Sequence, residues 1–327
     1  MKFLKPSTTI DDQIATLRQR GLIIKDVNAA KHYLKNISYY RLAGYWWPLQ
    51  SDKKNHLFKP NSTFETVMKI YGFDQELRVL LFDAIEKIEI AFRTRLSNEM
   101  CNEVDPWWFE DPNNFNNKTE HSATLNAIDG ELKRCKEGFI AEHKRKYHLD
   151  TRRPPSWKTL EILSLGTLSK LYGNLKSGFK AKNRIAASLG TVNVDYLPSW
   201  LQDLTQIRNI CAHHGRIWNR NLPGRPKLLP NPPHAWITNV PHVSQHHNLY
   251  IHLCCIKYLL NVIMPGNAFT YRLYFTLRRH RNIDLNALGM NKDWHKEKLW
   301  NNKMAMPYIS YRWYFEVLAY RFRNSIK

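Results

Sequence analysis

The sequence predicts an all-α protein, and three observations predict it. Apolar residues recur at helical spacing over long segments, most clearly Leu77, Leu80, Leu81, Ala84, Ile85, Ile88, Phe92 and Leu96. Cap-type residues precede such segments, as Thr9-Ile10-Asp11-Asp12 and Ser156 do, and proline or glycine follows or divides them. The composition, 43% hydrophobic with 13% aromatic residues, is that of a chain that folds around a core. With 327 residues that core is substantial.

In order, Ile10, Ile14, Leu17 and Leu22 predict a short helix ending at Gly21, and Val27 to Leu34 a second one started by Asp26 or Asn28. Tyr39-Tyr40-Arg41-Leu42-Ala43-Gly44-Tyr45-Trp46-Trp47-Pro48 is dense in aromatics beside a cation. Two readings apply: a stacking platform for unpaired bases, or rings packing a small helical subdomain, and packing is the commoner fate of such clusters. Lys53 to Ser62, with Pro60 and Asn61, reads as a connection, so residues 1–60 are expected as an amino-terminal helical subdomain and 61–327 as the main helical domain with a carboxy-terminal extension.

The strongest helix begins near Phe64, or after a break at Gly72. Opposite its apolar face stand Asp83, Glu86, Lys87, Glu89 and Arg93, with Glu89 and Arg93 one turn apart. That face is either a solvated surface or the source of an acid that orients a neighbouring cation or imidazole. Glu103 to Asn117, holding Asp105-Pro106-Trp107-Trp108-Phe109 and several asparagines, reads as a loop with an aromatic anchor. The charged run Leu132 to Leu149 is a solvated helix face or a phosphate contact. Pro154-Pro155-Ser156 opens a helix expected over about Trp157 to Leu175, followed by Lys176, Lys180, Lys182 and Arg184 around Gly178.

A helix entered through Pro198 carries the chemistry. At about 100° per residue, Trp200, Leu204, Ile207 and Cys211 share one face. Arg208, Asn209 and His213 fall on the other side, with Asn209 and His213 at i, i+4, and His214 swings back toward the apolar side. A fixed cation, an amide and a group that titrates near neutrality are parts for phosphodiester chemistry. Beyond it, Pro223, Pro226, Pro230, Pro232, Pro233 and Pro241 exclude regular helix up to about His242, with room for short strands near Ile217 or in 217–240. A loop of that length is usually functional or mobile. Leu249 to Met264 and Tyr271 to His280 read as the last helices. Arg278-Arg279-His280-Arg281 is a basic cluster, and Arg312, Arg321 and Arg323 are interleaved with Trp313, Tyr314 and Phe315, a mixture that suits RNA contact or ordinary packing.

Arg208-Asn209-Ile210-Cys211-Ala212-His213 has the form of the R-x4-6-H signature of HEPN ribonucleases, and its extension through His214-Gly215-Arg216-Ile217-Trp218-Asn219-Arg220 resembles the bacterial Abi-like (AbiD/AbiF) abortive-infection family. Lys35 to Trp46, Tyr71 to Arg78, Asp83 to Ala91 and Leu163 to Tyr172 agree in the family's order, so the resemblance covers roughly residues 10–300. It implies a HEPN-type helical bundle and a metal-independent endoribonuclease toxin of phage defence, with Arg208, Asn209 and His213 catalytic and His214, Glu86, Glu89 and Arg93 in support. It also implies pairing of two motif helices in a homodimer, or restraint by a bound structured small RNA.

The charge agrees with an RNA partner. The 49 Lys+Arg against 28 Asp+Glu give a net charge of +21, which draws polyanions. Candidate RNA contacts are Arg41, Arg216, Trp218, Arg220, Arg278, Arg279 and Arg281. No apolar run is long enough to span a bilayer and Met1-Lys2-Phe3-Leu4-Lys5-Pro6 is not a signal peptide, so a cytoplasmic protein without membrane association is expected. Five cysteines without a C-x-x-C pair support neither a disulfide framework nor a zinc site. His246, His247, His252, Cys254 and Cys255 fit no metal-ligand spacing, and phosphate-loop, G-x-S-x-G and H-E-x-x-H motifs are missing, so neither metal nor cofactor is expected. The rival function is an RNA-binding protein of the same fold without chemistry. A protein-interaction subunit would explain the helices but not the charge.

Overall fold

Helices form where apolar spacing and caps coincide. The computed structural model describes residues 6–191 and 193–301, and the Arg312 to Arg323 cluster lies outside them. Its helices are α1 (Ile10–Gln19), α2 (Val27–Ile37), α3 (Tyr39–Trp46), α4 (Phe64–Glu103), α5 (Lys118–Arg134), α6 (Gly138–Lys146), the single turn α7 (Ser156–Thr159), α8 (Leu165–Asn174), α9 (Lys180–Ser188), α10 (Tyr196–Ala212), α11 (Leu249–Ile263) and α12 (Phe269–Arg279). Among the described residues the only sheet is an antiparallel hairpin of β1 (Gln50–Asp52) and β2 (Leu57–Phe58), so the fold is all-α. The chain divides into two compact units, one made of the segment ending at Arg78 with Phe275–Ile283, the other of Val79–Tyr274 and the chain from Asp284.

In the first unit α1 starts at a capping box between Thr9 and Asp12, and α2 is capped by Asp26, whose carboxylate accepts the Ala29 N–H at 2.9 Å. Ser38, at φ 73°, ends α2 and caps α3. Leu17, Leu34, Leu42, Tyr45, Trp46 and Phe73 close the core. The aromatic cluster thus divides. Tyr45 and Trp46 pack inward, while Tyr40 is 91% exposed beside an exposed Arg41. The Tyr45 hydroxyl donates to Asp74 at 2.7 Å, and Arg78 pairs with the same carboxylate one turn along α4. A buried carboxylate so satisfied holds α3 to the first part of α4. Gly72 does not break α4. A glycine costs a helix only about 1 kcal/mol, less than burying Phe64, Val67, Ile70, Phe73 and Leu77 along that stretch stabilises it.

The second unit is built on the rest of α4, whose Leu80, Leu81, Ala84, Ile85, Ile88, Phe92 and Leu96 are all buried. The single helix expected over 157–175 is interrupted. A turn of 3₁₀ helix at Leu160–Ile162 follows α7, and Ser164 then caps α8 by accepting the Thr167 N–H at 3.3 Å, so a second start signal inside the apolar pattern divides it. In the basic segment after α8, Lys182 is buried and donates to the Leu175 carbonyl, and Arg184 pairs with Glu99 at 2.6 Å and Glu103 at 3.2 Å. These cations hold α9 to its neighbours. α11 is buried along nearly its whole length.

The proline-rich stretch after α10 forms no strand among the described residues, and it is pinned. Trp200 Nε1 donates to the Lys227 carbonyl at 2.6 Å, the Lys227 N–H to Ser199 Oγ at 3.1 Å, and Trp236 stacks on Trp200 at 5.9 Å. Further on, the Thr238 and Asn239 N–H groups donate to the Glu297 carboxylate at 2.6 and 3.1 Å. The loop therefore runs as a strap along one side of α10.

Candidate functional site

α10 places its core face as its spacing requires. Leu197, Trp200, Leu201, Leu204, Ile207 and Cys211 are buried. The helix ends at Ala212, and the ending is built from backbone. The His214 N–H donates to the Cys211 carbonyl at 3.0 Å and the Gly215 N–H to the Ile210 carbonyl at 2.8 Å, the paired bonds of a Schellman cap with His213 as the cap residue. His214 occupies the left-handed position, φ 56°, that glycine usually fills. Gly215 lies so close that a Cβ there would stand 3.2 Å from the Ile210 carbonyl oxygen.

This ending displays the motif. Asn209 and His213 are exposed and Arg208 is half-buried. Arg208 Nη1 lies 3.5 Å from Asn209 Oδ1, and the His213 N–H donates to the Asn209 carbonyl at 3.0 Å. On its other side the Arg208 guanidinium sits over the ring of Phe82 on α4, 5.7 Å from the centroid. The acid next to that ring, Asp83, is already engaged by Lys87 and Arg272. Burial pushes its carboxyl up, but the Lys87 hydrogen bond and the Arg272 charge outweigh it and hold the group below the usual carboxylate range. Arg208 thus has no carboxylate partner among the described residues, with an amide beside it and an imidazole five residues on.

The supporting residues are placed differently from one another. His214 is exposed rather than turned to the core, because the helical rotation that would carry it inward stops at the cap. Glu89 pairs with Arg93 at 2.8 Å, and Arg93 also donates to the Leu163 carbonyl at 3.1 Å, joining α4 to the start of α8. Glu86 is exposed. Neither carboxylate hydrogen-bonds to Arg208 or His213. Arg216 turns its guanidinium onto the Trp218 and Asn219 carbonyls at 2.9 and 2.7 Å, Arg220 reaches the Arg216 carbonyl at 3.3 Å, and Trp218 is buried, so this segment shapes the turn after α10. Arg41 and Arg278 to Arg281 belong to the first unit, where Arg278 and Arg281 are exposed and Arg279 pairs with Glu76 at 2.7 Å.

Three features were not read from the sequence. Phe82 under Arg208 interrupts the polar side of α4, a visible signal with no visible partner. Asp203 and His252 form a buried pair at 2.6 Å, tying α10 to α11 across 49 residues of sequence separation. A groove of about 610 Å³ opens between α5, α8 and α10, with Gln202 and Gln206 among its lining. Its signal is the spacing Gln202, Gln206, Asn209, His213, which is one strip of a helix. Among the described residues no group of three or more His, Cys, Asp or Glu could hold a metal ion, and no helix is long and apolar enough to cross a membrane.

Comparison with known proteins gives one relationship. The model of the family described as Abi-like protein matches residues 32–219, which run from α2 through the motif and the turn after it. No curated protein and no solved structure gives a significant match.

Proposed function

The chain belongs to the Abi-like family, and from that premise we propose that the end of α10 is the catalytic centre of a metal-independent, HEPN-type endoribonuclease acting in phage defence. The family suggests abortive infection. The observation that carries the chemistry is the helix ending itself, where Asn209 and His213 are exposed and Arg208 is held beside them by Phe82 with no carboxylate partner among the described residues.

His213, as neutral imidazole, takes the proton of a ribose 2′-hydroxyl, whose oxygen attacks the adjacent phosphorus. Arg208 stabilises the charge gathering on the phosphoryl oxygens, and Asn209 keeps phosphate and imidazole in register. The O2′–P bond forms as the P–O5′ bond breaks, leaving a 2′,3′-cyclic phosphate, and the departing oxygen needs a proton. In a homodimer paired through the motif helices, the partner's His213 supplies it. The exposed position of His213 suits that arrangement. A structured small RNA bound over the same surface would restrain the enzyme, and the net charge of +21 favours such a partner.

The test is His213→Ala. It is expected to lower RNA cleavage by about 10²–10⁴-fold, the usual worth of a general acid–base group, and to remove toxicity while RNA binding changes little. Parent cleavage should persist in excess chelator, give cyclic-phosphate ends and spare a substrate lacking the 2′-hydroxyl. Full cleavage by His213→Ala, or a need for added divalent metal, would make the site a phosphate dock on a silent RNA-binding protein.

A further inference from the structure

The groove beside α10 has two unlike walls. On the far side the amides are spent on the fold: Asn117 Oδ1 caps α5 through the Glu120 N–H at 3.0 Å, and Asn174 exchanges two hydrogen bonds with the Asn117 backbone, each 2.8 Å. That wall is fixed. On the near side Gln202, Gln206 and Lys170 line the space, and none of them has a hydrogen-bond or ion-pair partner among the described residues. Gly166 and Gly173, with no side chain, keep the α8 side of the groove free of bulk. A Cβ at Gly166 would stand 3.2 Å from Thr205 on α10. The groove's roughly 610 Å³ is the size of a site for a small organic group.

Its position along α10 decides what that group is. Gln202, Gln206, Asn209 and His213 follow at i+4, i+3 and i+4, so the groove continues the strip on which the motif stands. Gln202 stands six residues before Arg208, roughly 9 Å along the axis at the helical rise. An RNA strand whose phosphate sits between Arg208 and His213 therefore brings a neighbouring nucleotide to the groove. The unspent groups there are the Gln202 amide, the Lys170 ammonium and the exposed carboxylate of Glu120. A carboxylate in the lining repels a phosphate but accepts from a base N–H, and an amide offers a donor and an acceptor side by side. Among the described residues no aromatic ring lines the space, so a base is held by its edge.

We propose that this groove is a nucleobase subsite for the residue next to the scissile phosphate, and that Gln202 and Lys170 set where the strand is cut. The proposal deepens the nuclease reading and rests on it. Gln202 is exposed, so either a smaller or a larger side chain there leaves the core untouched.

The experiment uses the full-length His213→Ala chain, which holds RNA without cutting it, and a randomised pool of single-stranded oligoribonucleotides containing 4-thiouridine. Photocrosslinks are expected in the peptides of α8, the start of α5 and the first half of α10, and Gln202→Trp, which plugs the groove, should remove them. In the cleaving chain Gln202→Ala should flatten the base preference beside the cut by about fivefold, the worth of one neutral hydrogen bond, and Lys170→Ala should flatten it further, its bond being charged. Crosslinks confined to other segments, or retained in Gln202→Trp with the cleavage pattern unaltered, would overturn the subsite and leave the nuclease standing. Groove crosslinks in a chain that never cuts RNA would overturn the nuclease and leave the subsite.

Discussion

His214 shows how much a single backbone angle changes the meaning of a side chain. Carried around the helix from Trp200 it points inward; placed one residue past the cap, at φ 56°, it is exposed. A non-glycine residue in the left-handed region costs roughly 1–2 kcal/mol, part of which glycine would return as extra freedom of the unfolded chain. His214→Gly is therefore expected to raise stability by up to about 1 kcal/mol, seen as a higher urea midpoint at unchanged m-value. A lower midpoint would mean that the imidazole's own contacts outweigh the strain. Arg208, Asn209 and His213 were legible from the sequence because they lie within the regular helix or at its cap, where spacing fixes direction. His214 was not, because the bond pattern that ends the helix is written in backbone carbonyls rather than in a residue type.

At the scale of the element, the same contrast separates α4 from α8. Periodicity leaves the start of α4 open between Phe64 and a break at Gly72, and the glycine is tolerated within the helix because burial on both sides of it exceeds its cost. A Cβ at Gly72 meets nothing within 4 Å, whereas one at Gly166 meets Thr205 Cγ2 at 3.2 Å. Gly72→Ala should therefore stabilise the protein by about 1 kcal/mol, the difference in helix propensity. Gly166→Ala gains the same propensity but must displace Thr205, and overpacking typically costs about 1–3 kcal/mol. The pair is read by thermal or urea unfolding. Equal stabilisation by both would show that α8 and α10 give way easily, and that the near wall of the groove is soft. The division of 157–175 into α7, a 3₁₀ turn and α8 was written in the sequence at Ser164, a start signal hidden inside a leucine pattern that reads as continuous. The strap after α10 was legible as irregular; that it is anchored by Trp200, Ser199 and Glu297 was not, since those bonds join residues far apart in sequence.

Over the whole molecule, charge was legible as a number and not as a surface. Many of the 49 basic residues are spent within the fold, Arg78 on Asp74, Arg93 on Glu89, Arg184 on Glu99 and Glu103, Arg272 on Asp83. A cation already paired in a folded chain adds little to phosphate binding, because forming the new contact breaks the old one. In the cluster at Arg278 to Arg281 the exposed Arg278 and Arg281 have no ion-pair partner among the described residues, while Arg279 holds Glu76. If this cluster grips RNA, the logarithm of the binding constant falls linearly with the logarithm of salt, by about 0.7 for each phosphate contacted on a single strand. Replacing Arg278 and Arg281 together with alanine should then reduce the slope by about 1.4. Adding Arg279→Ala should change it little further, since that arginine is spent on an acid. His213→Ala should leave the slope as it is, which separates the footprint from the chemistry. An unchanged slope in the double variant would move the footprint to other exposed cations such as Lys176, Arg225 and Lys227. Binding that stays flat between low and physiological salt would remove nucleic acid as the partner, and with it the nuclease and the subsite alike.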